Sequence, residues 1–445
     1  MRALVYGLAI AGEATAKALV QRGWIVEIAD DKVAGDGEAR AAALGAEYLG
    51  RPDHDDMAGL LARFDLLAPS PGVPETHPVI TVAQAVGVPV RSEIDLAWEW
   101  EQSRSGGPRP MLAVTGTDGK TTTTLLATEM LRAAGLRAID AGNTDTPLIA
   151  AIDDDYDAFV VECTSFRLAW TTCFRPEAAV WLNLAEDHQD WHTSMTTYRA
   201  AKARMWNFQR QADTAIGFVD DSAVMAELAA APGRHRTFGL TGADYRRHDA
   251  DLVGPRGVIA RVNDMKRALP HDITNALAAS ALVLESGLAD PDAISQALSG
   301  FEGPAHRLQF VAERDGVRFY NDSKATTPHA VVTALRAFDS LVLIAGGKNK
   351  GLDLSPLTSE PTRTRAVVAM GSASDLVAGL FEGRCPVVRA TSMADAVRSA
   401  TTLARPGDAV LLSPGCASFD MYSGYPARGD DFVRCVHDLI EGETS

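Results

Sequence analysis

Met111-Leu112-Ala113-Val114-Thr115-Gly116-Thr117-Asp118-Gly119-Lys120-Thr121-Thr122-Thr123-Thr124 is the stretch from which the fold is read. An apolar run enters a turn holding Gly116 and Gly119, Lys120 follows, and Thr121 opens an apolar-periodic segment that stops at Gly135. The order spells strand, phosphate loop, helix. Backbone N–H groups at such a turn and the positive end of the helix behind it attract phosphate, while the lysine adds charge and a threonine hydroxyl can hold Mg²⁺. The pattern G-x-x-x-x-G-K-[ST] is not fully met, because Val114 stands where its first glycine belongs. A Gly-rich hairpin with a surface lysine would share the composition, but not the strand before and the helix after.

The rest of the chain has to accommodate that loop. A length of 445 residues implies about three domains. Hydrophobic residues at 46% and charged residues at 22% let each third bury a core. The net charge of -16 argues against a nucleic-acid partner and requires local positive groups, Lys120 first, to meet any anionic ligand. Five cysteines, widely spaced and without a CxxC, speak against a disulfide framework or a zinc cluster. Met1-Arg2-Ala3-Leu4-Val5-Tyr6-Gly7 runs straight into a strand and a Gly turn, leaving no room for a signal peptide, and no apolar run approaches ~18 residues. These features predict a cytoplasmic protein with no membrane partner.

The expected architecture is α/β in three domains. Residues 1–104 read as a Rossmann-like unit: strand Ala3 to Tyr6, turn Gly7 to Gly12, helix Glu13 to Arg22, strand Trp24 to Ala29. Ala9 replaces the middle glycine that lets backbone approach a pyrophosphate, which weakens an NAD reading. The proline-rich turn Ala68 to Pro74 is either a chain break or a ligand loop. Ser103 to Pro110 has linker composition. Residues 105–303 form the central P-loop ATPase-type domain, in which the apolar runs ending at Asn143, Glu162 and Asn183 bring polar residues to the carboxyl ends of parallel strands. Helices are expected over Thr197 to Gln209 and Thr274 to Glu285, and about Ala215 to Arg261 resists assignment. Residues 304–445 alternate strand and helix as a second Rossmann-like sheet.

A set of motifs in fixed order carries a family resemblance. Thr115 to Thr121 is joined by Glu162, by Asn183-Leu184-Ala185-Glu186-Asp187-His188, by Lys202, by His271 to Ala276, by His306-Arg307, by Asn321 to Thr326 and by Ser413 to Asp420. Together they resemble the Mur ligases, whose phosphate loops also lack the first glycine. The resemblance implies ATP-driven amide synthesis, in which a carboxylate is phosphorylated and the acyl phosphate is attacked by an amine. Phosphoryl transfer between two anions needs cations and positioning above all. Overall length, the N-terminal Gly turn and the Ser-Pro-x-x-Ala-Ser-x-Asp block are most similar to the branch that adds glutamate, expected as the D isomer, to UDP-N-acetylmuramoyl-L-alanine in peptidoglycan precursor synthesis. A monomer working with ATP, Mg²⁺ and these small molecules is implied.

By the same resemblance Gly116, Thr117, Asp118, Gly119, Lys120, Thr121 and Thr122 cradle ATP, with Lys120 on the β/γ-phosphates and Thr121 with Glu162 on one Mg²⁺. His188 is similar to a histidine that helps bind a second Mg²⁺, and Lys202 to a carbamylated lysine, a modification that needs a buried, neutral amine. Asp187-His188 with His192 also admits zinc, although a structural zinc would want four ligands. Asn275 matches an adenine-contacting amide, and Arg307 and Asp322 match residues that reach phosphate and ribose; Asp272 departs from the usual Asn. Asn143 matches a contact to the muramoyl substrate, with Thr144-Asp145 departing from Ile-Gly behind it. Ile10, Ala11, Asp30, Ser70 and Gly72 fall where the uridine-diphosphate part is held. Lys324, Thr326, Lys350, Ser418, Phe419 and Tyr425 fall where glutamate is held, and two lysines suit a substrate with two carboxylates.

Three competing readings stand beside this one. A P-loop switch lacks its base-reading motif, because Asn349-Lys350-Gly351-Leu352 has no Asp. An NAD-dependent oxidoreductase is opposed by Ala9 and by the loop at 116–121. Sibling ligases, folylpolyglutamate synthetase among them, share the ATP site and differ in the acceptor and the incoming amino acid; the diaminopimelate-adding sibling is opposed by the absence of Asp-Asn-Pro-Arg.

Overall fold

The computed structural model describes residues 1–32 and 35–442, and the chain falls into two compact units, Met1–Phe301 and Glu302–Ser445. The first unit carries two separate parallel sheets. One is built from β1 (Arg2–Tyr6), β2 (Ile25–Ala29), β3 (Glu47–Gly50) and β4 (Leu66–Pro69), in the order β3-β2-β1-β4. Ala3 to Tyr6 are buried on both faces, as an interior parallel strand must be.

The turn after β1 is tighter than the spacing of its glycines implies. The helix behind it starts at Ile10, not at Glu13, and the Glu13 N–H already donates to the Ala9 carbonyl (2.9 Å). Gly12 therefore lies on the helix, where a Cβ would fall 1.9 Å from the Gly7 carbonyl oxygen. Its missing side chain lets helix and turn touch.

The second sheet is built from β5 (Met111–Thr115), β6 (Ala138–Gly142), β7 (Ala158–Glu162), β8 (Ala178–Trp181), β9 (Thr214–Phe218) and β10 (Arg234–Phe238), all parallel, in the order β10-β9-β8-β5-β7-β6. Every residue of β5 is buried. The chain first lays strands on one side of β5 and then returns to the other, so the loop leaving β5 sits at the switch point where open α/β sheets bind ligands. The stretch that resisted assignment supplies β9, a helix (Ser222–Leu228), β10 and an antiparallel sheet of β11 (Arg246–His248), β12 (Asp251–Gly254) and β13 (Gly257–Arg261). The strands are short, and apart from buried β9 they are largely exposed or half-exposed, which leaves little periodicity to read.

Two helices begin earlier than their apolar periodicity. Met195–Asn207 is capped by Ser194, whose Oγ accepts from the Thr197 N–H (3.2 Å), and Pro270–Ser286 takes Pro270 into its first turn and stops at left-handed Gly287. Their first turns are polar, so the periodic signal starts one turn late. The segment of linker composition is also tied down. Arg109, 7% exposed, donates through Nε and Nη2 to Glu101 (2.9 and 2.8 Å) and through Nη2 to the Ile152 carbonyl (2.6 Å).

The second unit is a mixed sheet of β14 (Gln309–Arg314), β15 (Val317–Asn321), β16 (Leu341–Gly346), β17 (Thr364–Met370), β18 (Val387–Ala390) and β19 (Ala409–Leu412), in the order β14-β15-β19-β16-β17-β18. Only the edge pair β14–β15 is antiparallel. Adjacent strands β15, β19 and β16 run the same way, so the loops leaving them share one end of the sheet. Among the described residues no helix is long and apolar enough to cross a membrane.

Candidate active site

Val114 is a buried strand residue paired with Glu162 on one side and Val180 on the other, so a glycine there would only weaken β5. The turn itself is built on Gly116 and Gly119. Gly119 caps the helix Lys120–Ala133 in the left-handed region (φ 82°), and a Cβ on it would stand 2.7 Å from Asn275 Oδ1. The Thr117 and Asp118 N–H groups both donate to Asn183 Oδ1 (2.9 and 2.8 Å), which anchors the loop to the end of β8. The first bond of the helix runs from the Thr123 N–H to the Gly119 carbonyl (3.0 Å), so the N–H groups of Thr121 and Thr122 precede the helical hydrogen-bond ladder. They mark the phosphate end of the site.

Replacing Gly119 with alanine is expected to cost about 1–2 kcal/mol through its backbone conformation alone, and to push Asn275 off the loop. Calorimetric titration with ATP should show at least tenfold weaker binding by about this order; unchanged affinity would contradict the role of the turn.

Two lysines converge on the loop. Lys120 Nζ donates to the carbonyls of Gly116 (2.9 Å) and Thr117 (2.8 Å). Lys202, 1% exposed, donates to the same Gly116 carbonyl (2.7 Å) and lies 4.7 Å from the Tyr198 ring centroid. Burial, then the nearby charge of Lys120, holds the Lys202 amine well below the ordinary lysine range. Tyr198 in turn hydrogen-bonds Thr117 Oγ1 (3.1 Å).

Glu162, at the end of β7, is 1% exposed. Asn143 Nδ2 donates to its Oε1 (2.9 Å), whereas its Oε2 is buried with no hydrogen-bond partner among the described residues. An orphaned, buried carboxylate oxygen one strand away from a phosphate loop suits a hard cation with oxygen ligands such as Mg²⁺.

His188 adopts a left-handed backbone (φ 54°), and its N–H donates to Asp187 Oδ1 (2.8 Å). His192 Nδ1 meets Glu75 Oε2 at 3.2 Å, and among the described residues no group of three or more His, Cys, Asp or Glu side chains is set to hold a metal such as zinc. Glu75 also accepts from the Thr193 N–H (2.5 Å), and Trp191 Nε1 donates to the Pro71 carbonyl (2.9 Å), fastening the loop after β4 to the segment that bears His188. Burial lowers the affinity of both imidazoles for a proton. The unfolded chain binds protons near pH 6.5 while these histidines stay neutral, so stability falls as pH drops below that value. Thermal melts should show a shallower acid decline for His192→Phe than for the wild type; identical slopes would reject this account.

In the first sheet, Asp30 and Ser70 shape the turn around Gly7. Asp30 accepts from the Leu8 and Lys32 N–H groups (2.7 and 2.9 Å), and Ser70 Oγ donates to the Gly7 carbonyl (2.5 Å). Ala11 is buried, Ile10 is exposed, and a Cβ on Gly72 would meet only open space.

In the second unit, Lys324, Thr326, Lys350, Ser418 and Phe419 occupy the loops that leave β15, β16 and β19, and Lys324 Nζ lies 5.4 Å from the Tyr425 ring. Lys350 and Phe419 are exposed and Ser418 is buried. Asp322 accepts from Ser413 Oγ (2.7 Å) and the Leu308 N–H (3.1 Å), and Arg307 lies between left-handed His306 and Leu308. The sequence reading missed Arg428, 2% exposed, which donates to Ser323 and to the Cys416 carbonyl and ties two of these loops together. Burial pushes its guanidinium down to about 10. Its place on the apolar face of the last helix was the one available signal.

A phosphate loop at the switch point of a parallel sheet, flanked by a buried lysine and an orphaned carboxylate oxygen, defines an α/β nucleotide-binding protein equipped for phosphoryl chemistry. Models of the Mur ligase middle domain and of the Mur ligase glutamate ligase domain match residues 114–283 and 306–416. UDP-N-acetylmuramoylalanine–D-glutamate ligases from Frankia casuarinae and Desulfosudis oleivorans are 43% and 39% identical, over 97% and 99% of this chain and 93% and 97% of theirs. A solved UDP-N-acetylmuramate–alanine ligase from Thermotoga maritima superposes with a TM-score of 0.58 at 18% identity, covering 99% of this chain and 100% of that one. The chain belongs to the Mur ligase family, and its three α/β portions are consistent with that family's fold.

Proposed function

We propose that this chain joins D-glutamate to UDP-N-acetylmuramoyl-L-alanine, cleaving ATP to ADP and phosphate through an acyl phosphate. The observation that carries the substrate assignment is the end-to-end match to D-glutamate ligases. The proposal assigns residues 1–104 to the nucleotide-linked acid, 105–303 to ATP and 304–445 to glutamate. Lys120 and the N–H groups in the first turn of the helix behind the loop hold the β/γ-phosphates and meet the charge of the transferred phosphoryl group. Thr121, Glu162, His188 and a carbamylated Lys202 would hold Mg²⁺, which screens the repulsion between the two anions. The enclosed amine of Lys202, held well below the ordinary lysine range, supports that modification, because only an unprotonated amine adds CO₂. Lys324 and Lys350, brought to one sheet end with Ser418 and Tyr425, suit an amino acid with two carboxylates.

The test is phosphate release with ATP, Mg²⁺ and UDP-N-acetylmuramoyl-L-alanine, supplying D- and L-glutamate side by side. Turnover with the D isomer alone is the expected result. Turnover only with another amino acid would remove the glutamate assignment and leave the ligase reading in place.

A further inference from the structure

Glu162 is the end of a chain of side chains, buried except at exposed Asn143, that starts in a distant part of the first unit. Arg167, 6% exposed, donates from Nη1 to Asn143 Oδ1 (2.8 Å) and from Nε to Glu93 Oε1 (3.0 Å). Glu93, 4% exposed, also accepts from the Ile149 N–H (3.1 Å). Asn143 then donates from Nδ2 to Glu162 Oε1, and Glu162 Oε2 is without a partner among the described residues.

An amide can present either its oxygen or its nitrogen, and the two faces have opposite meaning beside a carboxylate. A guanidinium donates and never accepts, so Arg167 selects the amide oxygen and turns the NH₂ toward Glu162. The positive charge this brings near the cation site would repel Mg²⁺, but Glu93 pairs with it from the other side. The chain delivers orientation without net charge.

We infer that Arg167 is a positioning residue for the cation site: held by Glu93, it fixes the Asn143 amide so that Glu162 offers one carboxylate oxygen and no more. This rests on the reading of Glu162 as a cation ligand. Partners of this kind, one step removed from the ligand, typically change metal affinity by about 10–100-fold.

The test uses the full chain, with Mn²⁺ in the presence of ADP followed by electron paramagnetic resonance, and ADP affinity in EDTA as the control. Removing Arg167 alone would orphan buried Glu93, so the variants are Glu93→Gln/Arg167→Met, which removes both charges, and Arg167→Lys, which keeps the charge but not the fork. Both are expected to bind Mn²⁺ about tenfold or more weakly, with ADP affinity in EDTA unchanged. Wild-type Mn²⁺ affinity in either folded variant overturns the inference. Glu162→Gln separates the two levels: if it binds Mn²⁺ like the wild type, the reading of Glu162 itself fails, whereas a loss there with none in the Arg167 variants overturns only the positioning role.

Discussion

Lys120→Ala is expected to lower ligation by about 10³-fold, as for loss of a central donor to a charge-developing transition state, while the melting temperature stays close to that of the wild type. The ammonium rests on the carbonyls of Gly116 and Thr117, two acceptors that belong to the turn itself. Its value arises once phosphate arrives. The effect should fall on kcat at least as much as on the KM for ATP, because the charge it meets grows as the phosphoryl group leaves. There is a second consequence. The charge of Lys120 helps depress the Lys202 amine, so the alanine variant should carry more protonated Lys202 and less carbamate. Steady-state kinetics with variable ATP, together with intact-mass measurement of CO₂ uptake under native conditions, checks both; a variant with unchanged kcat would show that the loop does not act on phosphate.

Lys202→Met should separate activity from stability. Activity is expected to fall by about 10²–10⁴-fold, the range for a group acting at the reacting centre, and the protein is expected to melt higher at neutral pH. The sign follows from linkage. The folded pKa lies below the unfolded value of 10.5, so between the two the unfolded chain binds more protons and stability rises with pH. The cost of burying this lysine is therefore greatest at low and neutral pH and vanishes above the unfolded pKa. Methionine keeps the volume and removes the cost, losing the hydrogen bonds to the Gly116 carbonyl and Thr115 Oγ1 and the ammonium's contact with the Tyr198 ring. The gain in melting temperature should shrink as pH is raised toward 10; a gain independent of pH would mean that packing, not the amine, is responsible. Since the wild-type amine is poised to take up CO₂, depleting bicarbonate should lower wild-type activity and leave the methionine variant unaffected.

What was legible in advance followed sequence distance. Gly116 to Thr122 could be read directly, since a turn and the helix behind it are specified by neighbouring residues. Glu162 and Asn183 were legible as strand ends, but not their tasks. The orphaned oxygen of Glu162 depends on Asn143 and Arg167, and Asn183 anchors loop N–H groups some sixty-five positions away. The four-residue spacing of His188 and His192 says nothing of Glu75, 117 residues earlier in the chain, which meets His192 Nδ1. For Asp30 and Ser70 the family resemblance implies a ligand-holding place, and the fold adds that both hold the turn around Gly7.

The sequence by itself determined the phosphate loop, the order of the α/β units and the family, because these are written in short contiguous runs whose backbone conformation is decided within a turn or two. Only the tertiary structure decided the chemical state of the groups around that loop. Burial on Met195–Asn207 and the nearby charge of Lys120 hold the Lys202 amine well below the ordinary lysine range, and among the described residues Glu162 keeps one oxygen without a partner while Glu93, Arg167 and Asn143, from distant elements, engage the other. Burial and charge pairing depend on where the chain returns in space, and no local pattern records that.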